Sequence, residues 1–206
     1  MDVKGLRERV QHAVLQERSA GTLRARIVEA LAAQGSDDPE QDAHTVHSFV
    51  LSYVEMAPTL METVLAAAEA REQTESISPF LATAGTYIDE RADFIPDDVG
   101  GVLGYVDDAY FVNTLMQRLS ERPGVTGGLL GFDYSRCNDK MRAMLDAGVA
   151  AKIDAAVGAL LAEQDIAALG ETLAGVLASE TPPTASDTAA RAAGSVRNVP
   201  KLGLGG

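Results

Sequence analysis

The stretch DPEQDAHTVHSFVLSYVEMAPTLMETVLAA, residues 38–67, decides the fold. Asp38 stands where an N-cap belongs, Pro39 fits the first helical position, and Gln41 completes a capping box. Behind this start signal Ala43, Val46, Val50, Tyr53, Ala57, Leu60, Val64 and Ala67 recur in strict alternation of three and four. Such spacing gathers the apolar side chains into one stripe, which a helix buries against neighbouring helices. The pattern predicts a long helix within residues 38–75. Pro58 sits inside it and has no N–H for the Val54 carbonyl, so a kink or short break is expected there.

Working outward, Val3, Leu6, Val10 and Val14 also recur at helical spacing. Ala20 and Gly21 interrupt that pattern, and Thr22 can cap a second helix carrying Leu23, Ile27, Val28 and Leu31, which stops at Gly35. Residues 1–35 therefore read as a helical hairpin. On the other side, Ser78 and Pro79 announce a helix running to about Glu90. A further helix is expected through Tyr110 to about Leu119, ended by Arg122-Pro123-Gly124. Asp133 or Ser135 then caps a long helix reaching about Gln164. Asp165 caps a last one with Ile166, Leu169, Leu173 and Val176 on one face. No stretch alternates with period two, so no sheet is expected. The fold class is all-α, an irregular bundle of about seven helices in a single domain over residues 1–178. Gly148, Ala151, Ala155 and Gly158 favour close helix packing, with self-association into a homo-oligomer as an alternative use. From Ser179 the chain turns to Pro, Ala, Ser, Thr and Gly, which predicts a disordered tail over 179–206.

Composition narrows the function. The chain carries 30 acidic and 17 basic residues, a net charge of −13. Such a surface repels phosphate backbones and anionic headgroups, so nucleic acid is not an expected partner and a membrane is disfavoured. Basic protein surfaces and cations are the natural counterparts. The single cysteine, Cys137, allows no intrachain disulfide and fits a cytoplasmic location. Neither a secretory signal nor a transmembrane segment is expected. Cys137 lies near Arg136 and Lys140, a setting that lowers a thiol's pKa, but no base is positioned for it. His44 and His47 are one turn apart, and a solvated first turn suits them better than a zinc site lacking a third ligand. No phosphate-cradling glycine loop or nucleophile elbow occurs.

The most specific motif is Tyr87-Ile88-Asp89-Glu90-Arg91-Ala92-Asp93-Phe94-Ile95-Pro96-Asp97, followed by Val102-Leu103-Gly104-Tyr105-Val106-Asp107-Asp108. With this order and spacing, the segment 78–120 resembles the YkvA-like domain of unknown function over about residues 79–119. The matching positions are Tyr87, Asp93, Ile95, Pro96, Asp97, Gly104, Tyr105, Asp107 and Asp108. The chain departs from the family at Asp98-Val99-Gly100-Gly101, which is looser and more polar. The resemblance implies no settled activity, and only through it does peripheral membrane association enter as a third reading. Physically, Asp93, Asp97, Asp107 and Asp108 would repel one another if brought together, unless a cation neutralised them. Mg²⁺ or Ca²⁺ would do so through oxygen ligands. The plainer reading is that these aspartates cap helices, with Gly104 allowing close approach or an unusual backbone angle.

Two contact surfaces complete the expectation. One is the acidic turn of that motif. The other is the tail end, where Pro200, Lys201, Leu202 and Leu204 form a short apolar and basic docking peptide. With no recognisable catalytic set, the leading expectation is a non-catalytic helical interaction or scaffold protein with a protein partner. The alternative is a divalent-metal-binding protein or metal-dependent hydrolase. The two separate in thermal unfolding. A cation at a hundred times its dissociation constant stabilises by about 2.7 kcal/mol. The metal reading therefore predicts a Tm in Mg²⁺ or Ca²⁺ several degrees above that in EDTA, abolished by Asp107→Asn with Asp108→Asn. The capping reading predicts no change with any ion.

Overall fold

A computed structural model of the chain describes residues 2–89, 101–122, 129–163 and 168–178. Within them run eight α-helices: α1 (Val3–Ala20), α2 (Thr22–Ala33), α3 (Pro39–Ala70), α4 (Thr74–Asp89), α5 (Val106–Ser120), α6 (Ser135–Met144), α7 (Ala147–Ala162) and α8 (Leu169–Leu177). A 3-10 turn, Gly101–Tyr105, leads into α5. The described residues contain no strand, and the all-α bundle expected from the sequence is what forms. The predicted tail, 179–206, lies outside the described residues.

The N-terminal hairpin folds as its pattern dictates, with one difference in chemistry. α1 buries Val3, Leu6, Val10 and Val14, and Asp2 caps it by accepting from the Gly5 N–H at 2.8 Å. It ends on Gly21, whose left-handed φ of 65° lets its N–H reach the Glu17 carbonyl. Thr22 does not cap α2, because Gly21 holds the N-cap position and makes no side-chain bond. The cap comes instead from Glu17 on the preceding helix. Its carboxylate accepts from the Leu23 N–H at 3.0 and 3.1 Å and from the Arg24 N–H at 3.2 Å. His47 of α3 reaches the same carboxylate at 3.1 Å. Only 4% exposed, Glu17 thus ties three helices together. His44 is exposed as expected, whereas His47 is turned inward onto Glu17 rather than solvated.

α3 begins where the capping signal places it, with Asp38 accepting from the Gln41 N–H at 3.1 Å. Of the kink or short break expected at Pro58, the break does not form, and the helix runs unbroken for 32 residues. Pro58 is buried with Ala57, Leu60 and Met61, so apolar packing outweighs the one missing backbone bond. Among the described residues α3 alone has the length and apolarity to cross a membrane. Here it is a core helix, packed against α1, α2, α4 and α5.

Two later boundaries also differ from expectation. α4 starts at Thr74, before Ser78, and carries Pro79 inside it. The chain reverses between α3 and α4 through Glu72 in a left-handed conformation (φ 55°), with the Gln73 N–H on the Ala68 carbonyl at 2.8 Å. Starting that early costs only the bond Pro79 cannot make to the Glu75 carbonyl. The single long helix expected from about 133 to 164 is two. Leu145 is extended, and Asp146 starts α7 by accepting from the Gly148 and Val149 N–H groups at 2.8 and 3.2 Å. α7 buries Val149, Ile153, Ala156, Val157 and Leu160. Of the small residues, Gly148 is exposed, whereas Ala151, Ala155 and Gly158 are half-buried, and a Cβ added at Gly158 would meet nothing within 4 Å. α8 buries Leu169 and Leu173, with Val176 against the edge of the core.

At the centre lies α5, in contact with α3, α4, α6, α7 and the 3-10 turn. Of its 15 residues 14 are buried, Arg118 being the exception. The Glu17 node gives the fold its clearest test. Glu17→Ala would strand buried amide donors and should cost about 2–4 kcal/mol, since bonds to charged acceptors are worth ~1.5–3 kcal/mol. The exposed Glu8→Ala should change stability by less than ~0.5 kcal/mol. Urea unfolding of both variants decides this, and equal stabilities would contradict the role assigned to Glu17.

Candidate functional site

An all-round buried helix would ordinarily be apolar, yet α5 buries Asp107, Asp108, Asn113, Thr114, Gln117 and Ser120. Most of its middle and C-terminal groups are served by neighbouring elements. Asn113 donates to the Tyr53 carbonyl at 3.0 Å, and the Tyr53 hydroxyl donates to Asn138 Oδ1 at 2.7 Å. The Ser120 hydroxyl oxygen accepts from the Leu129 and Leu130 N–H groups, each at 2.8 Å. Gln117 accepts from the Tyr134 N–H at 2.7 Å and donates to Glu121. The loop at 129–134 is thereby pinned to α5.

The motif residues separate into two groups. Tyr87, near the end of α4, is buried with its ring centroid 4.3 Å from that of Phe111. Gly104 and Tyr105 lie in the 3-10 turn, and the left-handed backbone there belongs to Gly101 (φ 68°), not to Gly104. Asp107 and Asp108 occupy the first turn of α5, buried at its positive dipole end. Neither is the N-cap, which is Tyr105 and makes no side-chain capping bond. Asp93, Ile95, Pro96 and Asp97 lie outside the described residues, as do Pro200, Lys201, Leu202 and Leu204. No group of three or more His, Cys, Asp or Glu among the described residues is placed to hold a metal ion. The Cys137 thiol is pushed up by burial, with Asp133 adding to the shift and Lys140 opposing it. The lowered pKa suggested by its basic sequence neighbours is thus overturned.

What the sequence reading passed over is a polar cleft of about 130 Å³ between α5 and α6. From α5 come Tyr110, Thr114, Arg118 and Glu121, spaced 4, 4 and 3 along one face. Facing them on α6 are Asn138, Asp139 and Arg142, and α7 contributes Asp154. Asp154 accepts from the Tyr110 hydroxyl at 2.8 Å and from Arg142 Nε at 2.7 Å. The Arg118 guanidinium stands 3.8 Å from the same carboxylate. Burial, and then the Asp154 charge, push the Tyr110 phenol far above its ordinary range. Burial pulls Arg142 down, but its bond to Asp154 and that charge outweigh this and hold it above its usual value. Tyr110 is therefore a fixed donor and Arg142 a fixed cation. Thr114 is 4% exposed and lines the cleft, yet its hydroxyl has no hydrogen-bond partner among the described residues. The signal in the sequence was the polar line Tyr110, Thr114, Gln117, Arg118 and Glu121 running through an otherwise apolar helix.

Comparison with protein-family models, with curated proteins and with solved structures returns no match. The resemblance over residues 79–119 accordingly rests on its motif residues alone.

The buried phenols have a consequence for stability. Tyr53 is raised by burial, as Tyr110 is. An unfolded chain loses these protons near pH ~10, while the folded chain keeps them. Above that pH the unfolded state binds fewer protons, so unfolding free energy falls as pH rises; below it the contribution is fully present. Urea unfolding between pH 8 and 11 should show stability falling above pH ~10. In Tyr110→Phe the fall should be shallower by about 1.4 kcal/mol per pH unit, one proton's worth. Identical slopes would contradict the buried, protonated Tyr110.

Proposed function

We propose that the chain is a non-catalytic helical binding protein whose cleft between α5 and α6 takes up a small polar ligand. Of the interaction surfaces expected from the sequence, the tail and the part of the acidic turn holding Asp93 and Asp97 lie outside the described residues, and Asp107 and Asp108 are buried, so the proposal is built on the cleft. One observation carries it. A buried hydroxyl without a partner costs about 1–3 kcal/mol, and the hydroxyl of Thr114, a residue that lines the cleft, is in that position. A ligand that hydrogen-bonds Thr114 recovers that cost. Arg118 supports the same reading, because its one ion pair is long and its N–H donors remain to be used. Groups that could move protons are otherwise engaged: Tyr110 is held protonated and Asp154 accepts from two donors. That arrangement favours holding a molecule over transforming it.

Size limits the ligand. Pockets for drug-sized molecules run to roughly 300–1,000 Å³, and this cleft has about 130 Å³. Thermal unfolding against amino acids, hydroxy acids, small amines, polyols and inorganic phosphate tests the proposal. A true ligand at saturating concentration should raise Tm by several degrees, at ~2–4 °C per kcal/mol for a chain of this size. Thr114→Val should shrink that rise while making the ligand-free protein more stable. No rise with any compound, together with an unchanged or lowered Tm in Thr114→Val, would refute it.

A further inference from the structure

The distribution of charge around the cleft narrows the ligand further, provided that the binding reading above holds. At the inner end two guanidiniums, Arg118 and Arg142, face the carboxylate of Asp154, and the charge of Asp139 also reaches Arg142 from the exposed side. Arg142 spends its Nε on Asp154, and its terminal N–H groups make no hydrogen bond within the described residues. Arg118 makes none at all, its approach to Asp154 being 3.8 Å. With the buried Thr114 hydroxyl, the inner end therefore holds a surplus of hydrogen-bond donors. Guanidinium donors in this number match a carboxylate, which accepts through two oxygens.

The mouth is of opposite character. Glu121 and Asp139 line it, and both are exposed. Glu121 already accepts from the Gln117 amide, and Asp139 accepts from no side chain. The five charged groups of the cleft are thus two positive and three negative, a net of −1. A dianion would be repelled on entry, and a simple monoanion would gain at the inner end but lose at the mouth. A molecule with a carboxylate at one end and an ammonium at the other satisfies both ends and has no net charge. The cleft's ~130 Å³ corresponds to about four waters at ~30 Å³ each, which limits such a molecule to a small one.

We infer that the cleft binds a small α-amino-acid zwitterion, its carboxylate on Arg118, Arg142 and Thr114 and its ammonium toward Glu121 and Asp139. In this arrangement Asp154 is a positioning residue: it holds the Arg142 side chain in place and does not itself touch the ligand.

Isothermal titration calorimetry of the full chain at pH 7 tests the assignment with glycine, L-alanine and L-serine. Acetate and methylammonium serve as the two halves of the zwitterion. At least one amino acid should bind ten or more times tighter than either half. Arg118→Gln should weaken that amino acid at least tenfold, and Arg118 is part-exposed enough for the fold to tolerate the change. The pair Glu121→Gln with Asp139→Asn should weaken the amino acid while leaving acetate unchanged or tighter. Far-UV circular dichroism and Tm of each variant confirm that it is folded. Acetate or inorganic phosphate binding as tightly as the amino acids would overturn the zwitterion and leave a binding cleft in place. So would an amino acid whose affinity is unchanged in folded Arg118→Gln. No binding of any of these compounds, with no Tm response to the wider set, would overturn both.

Discussion

A helix buried on every side must either be apolar or have its polar groups met by neighbours, and α5 takes the second course through Asn113, Gln117 and Ser120, with the Thr114 hydroxyl left unmet. The penalty for an unmet group, about 1–3 kcal/mol, sets what surrounds it. The Tyr53 carbonyl receives Asn113, the Asn138 side chain receives the Tyr53 hydroxyl, and the backbone at 129–134 closes onto Ser120 and Gln117. α3, α6 and the 129–134 segment are thus fixed relative to one axis by directional bonds as well as by apolar packing. Hydrophobic burial alone is non-directional and would hold these elements together without fixing their rotation.

The same logic operates at the other end of the molecule, on a smaller scale. Glu17 supplies the cap that α2 lacks from its own sequence, and His47 sets α3 against that cap. Between the two polar nodes lies a continuous apolar core, from Val3 and Leu23 through Val54 and Leu60 to Phe111 and Ile153. On α5 the polar face that secures the fold also forms one wall of the cleft. Gln117 belongs to both systems, since it lines the cleft and holds the Tyr134 N–H.

Elements with a single strong local signal were legible in the sequence. The Asp38-Pro39 start of α3, its three-four stripe and the Gly21 stop of α1 depend on residues close in the chain, and each appears where its spacing puts it. Elements decided by distant packing were not. Pro58 reads as a breaker, but its ring is buried in the core and the helix continues. Asp146 reads as one more helix residue, because nothing local separates it from the pattern on either side. His47 is polar and near a helix start, and only the fold brings Glu17, thirty residues away, to it. The cleft was missed for a similar reason. Its α5 residues have plain helical spacing, but their partners on α6 and α7 cannot be assigned until the helices are packed. Of the aspartates Asp93, Asp97, Asp107 and Asp108, the described residues hold Asp107 and Asp108, both buried in the first turn of α5.

The claim on which the rest depends is that α5 is the rigid axis of the bundle, its polar groups locked by partners on α3, α6 and the 129–134 loop. Native-state hydrogen exchange under mild denaturant measures this directly, residue by residue. The account predicts that the amides of α5 exchange only through global unfolding, with the highest protection in the chain, and that α8 opens at much lower free energy. Amides of α5 that open locally, at free energies no higher than those of α8, would contradict it.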